Sequence, residues 1–199
     1  MVNRKEITAF YLDKLREHTT SAERMGWKSK EAQQVRFRQL IKIIDPHVPF
    51  SINDLGCGSG DLINVLNEQF DSSFTYHGYD GLPEMLTIAK QQFQETSSIK
   101  FSKITGYHQL SESDYSVASG IFNYRKGVID REWQEYILDT LLAMSRCSRK
   151  GFSFNALTKY SDPEKMLPEL FYSDPLLLFD FCKRNFSKNV ALLPRLWHL

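Results

Sequence analysis

The sequence lacks an excess of either charge. Its 199 residues include 25 lysines and arginines against 24 aspartates and glutamates, which gives a formal net charge of +1 at pH 7. Because nucleic-acid-binding domains usually carry a positive excess, nucleic acid is an unfavoured partner. Long apolar runs are lacking too, since the longest are about four residues, as at 176–179, whereas a membrane span needs about twenty. The N-terminal sequence MVNRKEITAF is charged where a secretory signal needs an apolar core, so a cytoplasmic protein without a membrane partner is predicted.

Paired cysteines and regularly spaced histidines are also lacking. The three cysteines, Cys57, Cys147 and Cys182, lie far apart and form no C-x-x-C pair. Their spacing gives no support to a disulfide framework or a zinc site. The five histidines show no ligand spacing, so no metal site is predicted.

Strand-like and helix-like segments alternate along most of the chain. Short β-rich runs are followed by segments whose apolar residues recur at helical spacing. This alternation predicts an α/β fold, with a doubly wound, mainly parallel sheet that helices cover on both faces. The predicted strands are 51–55, 74–79, 99–104, 115–122, 151–157 and 189–193, and the predicted helices are 32–44, 61–70, 83–93, 130–144 and 175–184. A single domain is predicted for residues 1–199, with a helical extension over 1–48 and an α/β core over 49–199.

The strongest local pattern is a glycine-rich loop between the first predicted strand and the next helix. Its sequence, D-L-G-C-G-S-G-D, covers 54–61 and places glycines at 56, 58 and 60. Glycines allow a tight turn and let a ligand approach the backbone without a Cβ clash. The dinucleotide fingerprint G-x-G-x-x-G would need a glycine at the position of Asp61, whose carboxylate would repel a pyrophosphate. The spacing therefore favours a ligand without phosphates, and an NAD-dependent oxidoreductase is the less favoured alternative.

Asp80 follows the second predicted strand, about twenty residues beyond the loop, where an acid can accept hydrogen bonds from ribose hydroxyls. The alternative is that Asp80-Gly81 is only a turn before the helix that begins at Pro83. Because the loop and the acid occur together at this separation, ribose binding is favoured.

Three segments together resemble the class I S-adenosylmethionine-dependent methyltransferases. They are D-L-G-C-G-S-G at 54–60, Y-D-G-L-P-E-M-L-T-I-A-K at 79–90 and D-Y-S-V-A-S-G-I-F-N at 114–123. The resemblance implies a Rossmann-like methyltransferase fold that holds S-adenosylmethionine, with the methionyl part at the glycine loop, the ribose at Asp80 and the adenine near Leu82 or Met85. The cofactor-binding residues that it implies in this core are Asp54, Gly56, Cys57, Gly58, Gly60, Asp80, Gly81, Leu82, Met85, Tyr107 and Gly120. Many relatives carry an acid after the third strand; this chain has Ile104-Thr105-Gly106-Tyr107 there, so a backbone contact or stacking by Tyr107 is expected instead.

The loop after the fourth predicted strand should face the transferred methyl group. It is not the Asn-Pro-Pro-Tyr pattern of many enzymes that methylate exocyclic or amide nitrogen, which favours an oxygen acceptor slightly over nitrogen. Asn123, Tyr124 and Arg125 in this loop, with Asn155 and Tyr172 further along, are the candidates for contacting the acceptor, because they can orient a polar group or pair with an anion. The alternative is that they only shape loops and face solvent.

A second candidate region lies in the N-terminal extension, where Trp27 precedes a helix that Ser29 could cap. By resemblance to some small class I methyltransferases, this segment would cover the cofactor, with Trp27 over it and Arg36 near its carboxylate. The alternative is an amphipathic helix packed by Val35 and Phe37, with Arg36 in solvent.

The C-terminal region predicts an incomplete sheet. Methyltransferases of this class usually end with an antiparallel strand pair, but only 189–193 can supply a strand here. A six-stranded sheet with its last strand missing, or a homodimer that completes it, is expected. The predicted function is transfer of a methyl group from S-adenosylmethionine to a small-molecule acceptor; a non-catalytic S-adenosylmethionine-binding module is the first alternative.

Overall fold

Five parallel strands form the central sheet of the computed structural model, which describes residues 8–13, 29–71, 73–106 and 109–193. Their order across the described sheet is β3-β2-β1-β4-β5. The strands are β1 (Phe50–Leu55), β2 (Phe74–Asp80), β3 (Ile99–Lys103), β4 (Ser113–Ala118) and β5 (Ser148–Phe154). The chain moves outward from β1 through β2 to β3 and then returns to β4 on the other side of β1. This reversal makes the carboxyl ends of β1 and β4 the place where such sheets bind ligands.

The helices that flank the sheet are α1 (Lys30–Leu40), α2 (Leu62–Gln69), α3 (Pro83–Gln92), α4 (Asp130–Cys147) and α5 (Pro175–Asn185). Residues 8–13 are helical as well. Side-chain caps begin two of these helices: Ser29 Oγ accepts from Ala32 N at 3.2 Å, and Asp174 Oδ1 accepts from Leu176 N at 2.9 Å. Proline occupies the first turn of α3 and α5, where its missing N–H removes no helical hydrogen bond.

The core has two parts, one on each face of the sheet. Helices α1 to α3 cover one part, in which Leu62, Ile63 and Leu66 of α2 are fully buried. Helix α4 covers the other with Ile137, Leu141 and Met144, which are also fully buried. Burying each such side chain contributes about 1.5–3 kcal/mol, so the apolar spacing in the sequence fixes which helix faces meet the sheet.

The α/β architecture and its five central strands confirm the predicted fold class, but two element predictions were wrong. The strand predicted over 115–122 ends at Ala118, because Gly120 turns the chain with a φ of 79°. Residues 189–193 form no strand, so the described sheet has five strands rather than six. In that segment Leu192 and Leu193 are 57% and 49% exposed, and an apolar run does not make a strand without a ladder partner.

The segment between β5 and α5 adds a small sheet that was not predicted. Strands β6 (Leu157–Thr158) and β7 (Tyr172–Ser173) pair in parallel and lie outside the central sheet. An isolated bridge between Tyr124 and Leu170 ties this region to the loop that follows β4. The insertion therefore supports the loop at the carboxyl edge of the sheet.

Candidate functional site

The glycine loop after β1 is held against the end of β2. Gly56 N and Cys57 N both donate to Tyr79 O, at 2.8 Å and 3.1 Å. Gly56 has a φ of 69°, and a Cβ built on it would lie 2.2 Å from Cγ2 of Ile121, which belongs to the loop after β4. Only glycine fits this position, because any side chain there would collide with the neighbouring loop.

Asp80 joins the glycine loop to the start of α3. Its Oδ2 accepts a hydrogen bond from Gly58 N at 2.9 Å, and its Oδ1 accepts one from Leu82 N at 2.8 Å. The residue is 8% exposed, and burial raises the pKa of the carboxyl above its usual range although both backbone N–H groups favour the charged form. Each oxygen of an ionised carboxylate has a second lone pair, so Asp80 can accept two further hydrogen bonds from a ligand.

A cavity of about 320 Å³ opens beside Asp80 and the glycine loop. It brings together parts of the chain that follow β1, β2, β3 and β4 with residues from the N-terminal helical segment and α4. Its lining residues are Thr8, Tyr11, Gly56, Tyr79, Asp80, Gly81, Leu82, Met85, Ile104, Thr105, Ser119, Gly120, Ile121, Tyr124, Trp133 and Tyr136. Seven of the residues predicted from the sequence line this cavity: Gly56, Asp80, Gly81, Leu82, Met85, Gly120 and Tyr124.

Four residues predicted for the cofactor belong to the glycine loop but are not among the described lining residues of the cavity: Asp54, Cys57, Gly58 and Gly60. Asp54 is 2% exposed, and its carboxylate accepts a hydrogen bond from the hydroxyl of Tyr76 at 2.7 Å. Burial raises the pKa of Asp54 to about 7, with further increases from the negative charges of Asp80 and Asp61.

Of the residues predicted to cover the cofactor from the N-terminal extension, Arg36 lies within the described part of the chain. Its guanidinium donates to Ala32 O along α1, and Arg36 is not among the described lining residues of the cavity. Trp27, and Tyr107 of the predicted adenine site, lie outside the described residues. Two residues of 8–13 that were not predicted for the site, Thr8 and Tyr11, line the cavity. Burial raises the pKa of Tyr11, and the negative charge of Asp80 raises it further.

Of the five acceptor candidates, Tyr124 lies in the cavity wall and the other four lie outside its lining. The ring of Tyr124 stacks on Phe10 with centroids 3.8 Å apart and an angle of 16° between the planes. Asn155 Oδ1 accepts from Gly120 N at 2.8 Å, and Asn123 Oδ1 accepts from Leu157 N at 3.3 Å.

Arg125 and Tyr172, the remaining two candidates, support the chain around the loop. Arg125 donates to Val128 O at 3.0 Å and pairs with Asp130 at 3.0 Å. The hydroxyl of Tyr172 accepts from Leu167 N at 2.9 Å. In the structure these polar groups fix the backbone that carries Tyr124.

Two aromatic residues of α4 complete the wall and were not predicted for the site. Trp133 donates from Nε1 to Phe122 O at 2.8 Å, and its ring lies 4.8 Å from that of Tyr136. Trp133 lies in the helix predicted over 130–144 and belongs to the buried apolar cluster on that side of the sheet, and an apolar residue in such a helix can face either the core or a cavity. Their position in the chain could have identified Trp133 and Tyr136 as site residues, because the first turns of a helix that follows the β4 loop lie at the ligand-binding edge of the sheet.

The described residues contain neither a metal-binding cluster nor a membrane-spanning helix. No group of three or more histidine, cysteine, aspartate or glutamate side chains is placed to hold a metal ion in the described ranges. In the same ranges, no helix combines the length and the apolar character that crossing a membrane requires.

Comparison with known proteins gives the family. The family model of a methyltransferase domain matches residues 52–140. Rv1506c of Mycobacterium tuberculosis, a protein named as a methyltransferase, is 47% identical over 154 residues, which are 77% of this chain and 90% of that protein.

Solved structures share the fold at much lower identity. The magnesium protoporphyrin IX methyltransferase of Synechocystis, crystallised with SAH, superposes with a TM-score of 0.63 at 13% identity and covers 92% of this chain and 86% of that one. The [4+2]-cyclase SpnF superposes with a TM-score of 0.59 at 13% identity, over 78% of this chain and 58% of that one. The fold alone therefore does not fix a reaction, but the sequence relationship does fix the family: this chain belongs to the class I S-adenosylmethionine-dependent methyltransferases.

Proposed function

We propose that the protein transfers a methyl group from S-adenosylmethionine to a small-molecule acceptor, with oxygen favoured over nitrogen, in the cavity beside Asp80. The observation that carries this proposal is the continuity of the cavity. One end is formed by the glycine loop and Asp80, and the other end continues past Gly120 to the ring of Tyr124.

The residues at the first end fit the donor. Gly56 lines the cavity and has no side chain, so a ligand can approach its backbone. The Asp80 carboxylate lines the cavity with lone pairs left for two ribose hydroxyls, while Leu82 and Met85 supply apolar surface for a purine ring. An NAD-dependent reaction finds less support, because Asp61 begins α2 where a pyrophosphate would have to bind.

When bound, S-adenosylmethionine would supply a methyl group on a sulfonium sulfur. In the transfer the methyl–sulfur bond breaks and its electron pair stays on sulfur, while the acceptor oxygen bonds to the methyl carbon and releases its proton to water. The chain contributes mainly position to this transfer. Gly120 and Ile121 place the backbone of the β4 loop beside the glycine loop. Tyr11 and Tyr124 cover the cavity and limit the access of water.

The cavity is small: its volume of about 320 Å³ is at the lower end of the range of about 300–1,000 Å³ that ligand pockets occupy. A nucleic-acid acceptor finds no support in the net charge of +1.

Calorimetric titration tests the proposal. S-adenosylmethionine, S-adenosylhomocysteine and NAD would be titrated into the wild type, into Asp80→Ala and into Asp71→Ala, a matched change at an exposed acid outside the cavity. We expect micromolar binding of the first two ligands, retained in Asp71→Ala and lost in Asp80→Ala. Binding of NAD alone would contradict the proposal. Tight binding with no turnover of any acceptor would favour the non-catalytic alternative.

We also propose that the protein forms a homodimer and is located in the cytoplasm. Within the described residues β5 pairs only with β4, and none of its residues is fully buried. Its outer edge can therefore accept a strand from a second copy, which light scattering at two protein concentrations would detect. The three cysteines are unpaired and buried, which is typical of proteins in a reducing compartment.

A further inference from the structure

Aromatic rings form the end of the cavity beside the start of α4 and the loop that follows β4. The described lining residues of these two elements include Tyr124, Trp133 and Tyr136. Trp133 and Tyr136 lie together beside Phe122 of that loop, through the Trp133 hydrogen bond to Phe122 O and a ring contact between Phe122 and Tyr136. This part of the wall can therefore match a flat aromatic ligand surface.

The rings at this end are held in place before any ligand binds. Tyr124 is 7% exposed, stacks on Phe10 and lies in a segment that bridges to Leu170. Trp133 is fixed by its hydrogen bond to Phe122 O, and the Tyr136 ring lies at 43° to it. A preformed aromatic wall binds a flat ring without the loss of side-chain freedom that a flexible aliphatic wall would suffer.

Charge at this end favours an oxygen-bearing ring over a strongly anionic group. The described lining contains no lysine, arginine or histidine that could pair with a phosphate or sulfate. The hydroxyl of Tyr11, which also lines the cavity, is protonated at neutral pH, and burial raises its pKa further, so it can donate a hydrogen bond to a ligand oxygen.

We propose that the methyl acceptor is a small aromatic molecule that carries a hydroxyl oxygen and packs against Tyr124 and Tyr136. This inference rests on the proposed function, because it assigns the second end of the same cavity. Tyr124 and Tyr136 are then specificity-determining residues, which select the acceptor.

A pair of matched probes tests the acceptor class without requiring turnover. 4-Methylphenol and trans-4-methylcyclohexanol carry the same hydroxyl group on an aromatic and a saturated ring. Their binding to the full chain would be measured by ligand-observed NMR in the presence of saturating S-adenosylhomocysteine. We expect the aromatic probe to bind at least threefold tighter than the saturated one. Stacking on one aromatic side chain typically increases affinity roughly two- to tenfold.

Substitutions then test which residues cause the preference for the aromatic probe over the saturated one. Tyr136→Leu and Tyr124→Leu should each reduce the preference for the aromatic probe to less than twofold, and Tyr136→Leu should change S-adenosylhomocysteine affinity by less than twofold. Tyr136→Phe, which keeps the ring, should retain the preference, and so should Tyr160→Leu, a matched change at a tyrosine that is 65% exposed outside the cavity. Circular dichroism would verify that each variant is folded; Tyr136→Leu decides the matter if Tyr124→Leu does not fold.

The outcomes separate this inference from the proposed function. If S-adenosylhomocysteine does not bind the wild type, the proposed function fails. If it binds but the two probes bind equally, or neither binds up to millimolar concentration, the aromatic class is overturned while the function stands. A preference that survives in Tyr136→Leu would likewise overturn the assignment.

Discussion

The buried carboxylate of Asp54 should make the stability of the ligand-free protein fall as the pH rises. Asp54 is 2% exposed, and burial is the main reason that its pKa rises from 3.8 to about 7 in the fold. Between these two values the folded protein binds the Asp54 proton more strongly than the unfolded chain does. Stability is therefore highest below about pH 4 for this group and is lost as the pH rises to about 7.

The size of the effect follows from the shift. A shift from 3.8 to about 7 corresponds to about 4 kcal/mol, since each pH unit between the two values contributes about 1.4 kcal/mol. Asp54→Asn removes the ionisation and keeps an amide oxygen that can accept the hydrogen bond from Tyr76. Any cost of placing its NH₂ group is independent of pH. The free energy of unfolding of Asp54→Asn minus that of the wild type should therefore grow by about 3 kcal/mol between pH 4.5 and pH 8.

Urea denaturation followed by tryptophan fluorescence would measure this difference at several pH values. Asp71→Asn, at an exposed acid, serves as the control and should show a nearly constant difference from the wild type. A difference for Asp54→Asn that stays constant, or that moves in favour of the wild type as the pH rises, would refute the argument that burial controls this carboxyl.

Three further substitutions test the supports of the site. Gly56→Ala introduces a Cβ 2.2 Å from Ile121 at a φ of 69°, so donor affinity measured by calorimetry should fall at least tenfold. The control is Gly127→Ala, at a φ of 78° outside the cavity, which should lower thermal stability and leave donor affinity unchanged. Asn155→Ala removes the acceptor of the Gly120 N–H and should weaken donor binding severalfold in the same titration, with little effect on the helical circular-dichroism signal. Asp174→Ala removes the cap of α5 and should lower the free energy of unfolding by about 1 kcal/mol in urea, without changing donor affinity.

The donor end of the site could be predicted because its determinants are local in sequence. The glycines of the loop and the acid after β2 follow strands directly, so finding the strands was enough to bring Gly56 and Asp80 to one edge of the sheet. The fold class followed from the same alternation of strands and helices. Neither inference needed knowledge of side-chain packing between distant segments.

The proposed acceptor end could not be predicted, because it depends on which polar side chains form hydrogen bonds within the fold and which remain available to a ligand. Asn123, Arg125 and Asn155 looked suitable for contacting an acceptor, but their hydrogen bonds hold the β4 loop. Tyr11 lies far from the loop in sequence and reaches the cavity only through the packing of residues 8–13. The segment 189–193 failed for a related reason, since a strand exists only where a neighbouring strand can pair with it.

The central claim is that one cavity holds the donor with its ribose on Asp80 and its reactive end toward Gly120. A crystal structure of the protein with S-adenosylhomocysteine tests this most directly. The account predicts both ribose hydroxyls within hydrogen-bond distance of the Asp80 carboxylate, with the sulfur beside the β4 loop and facing Tyr124. A ligand bound elsewhere, or bound with its ribose away from Asp80, would contradict it.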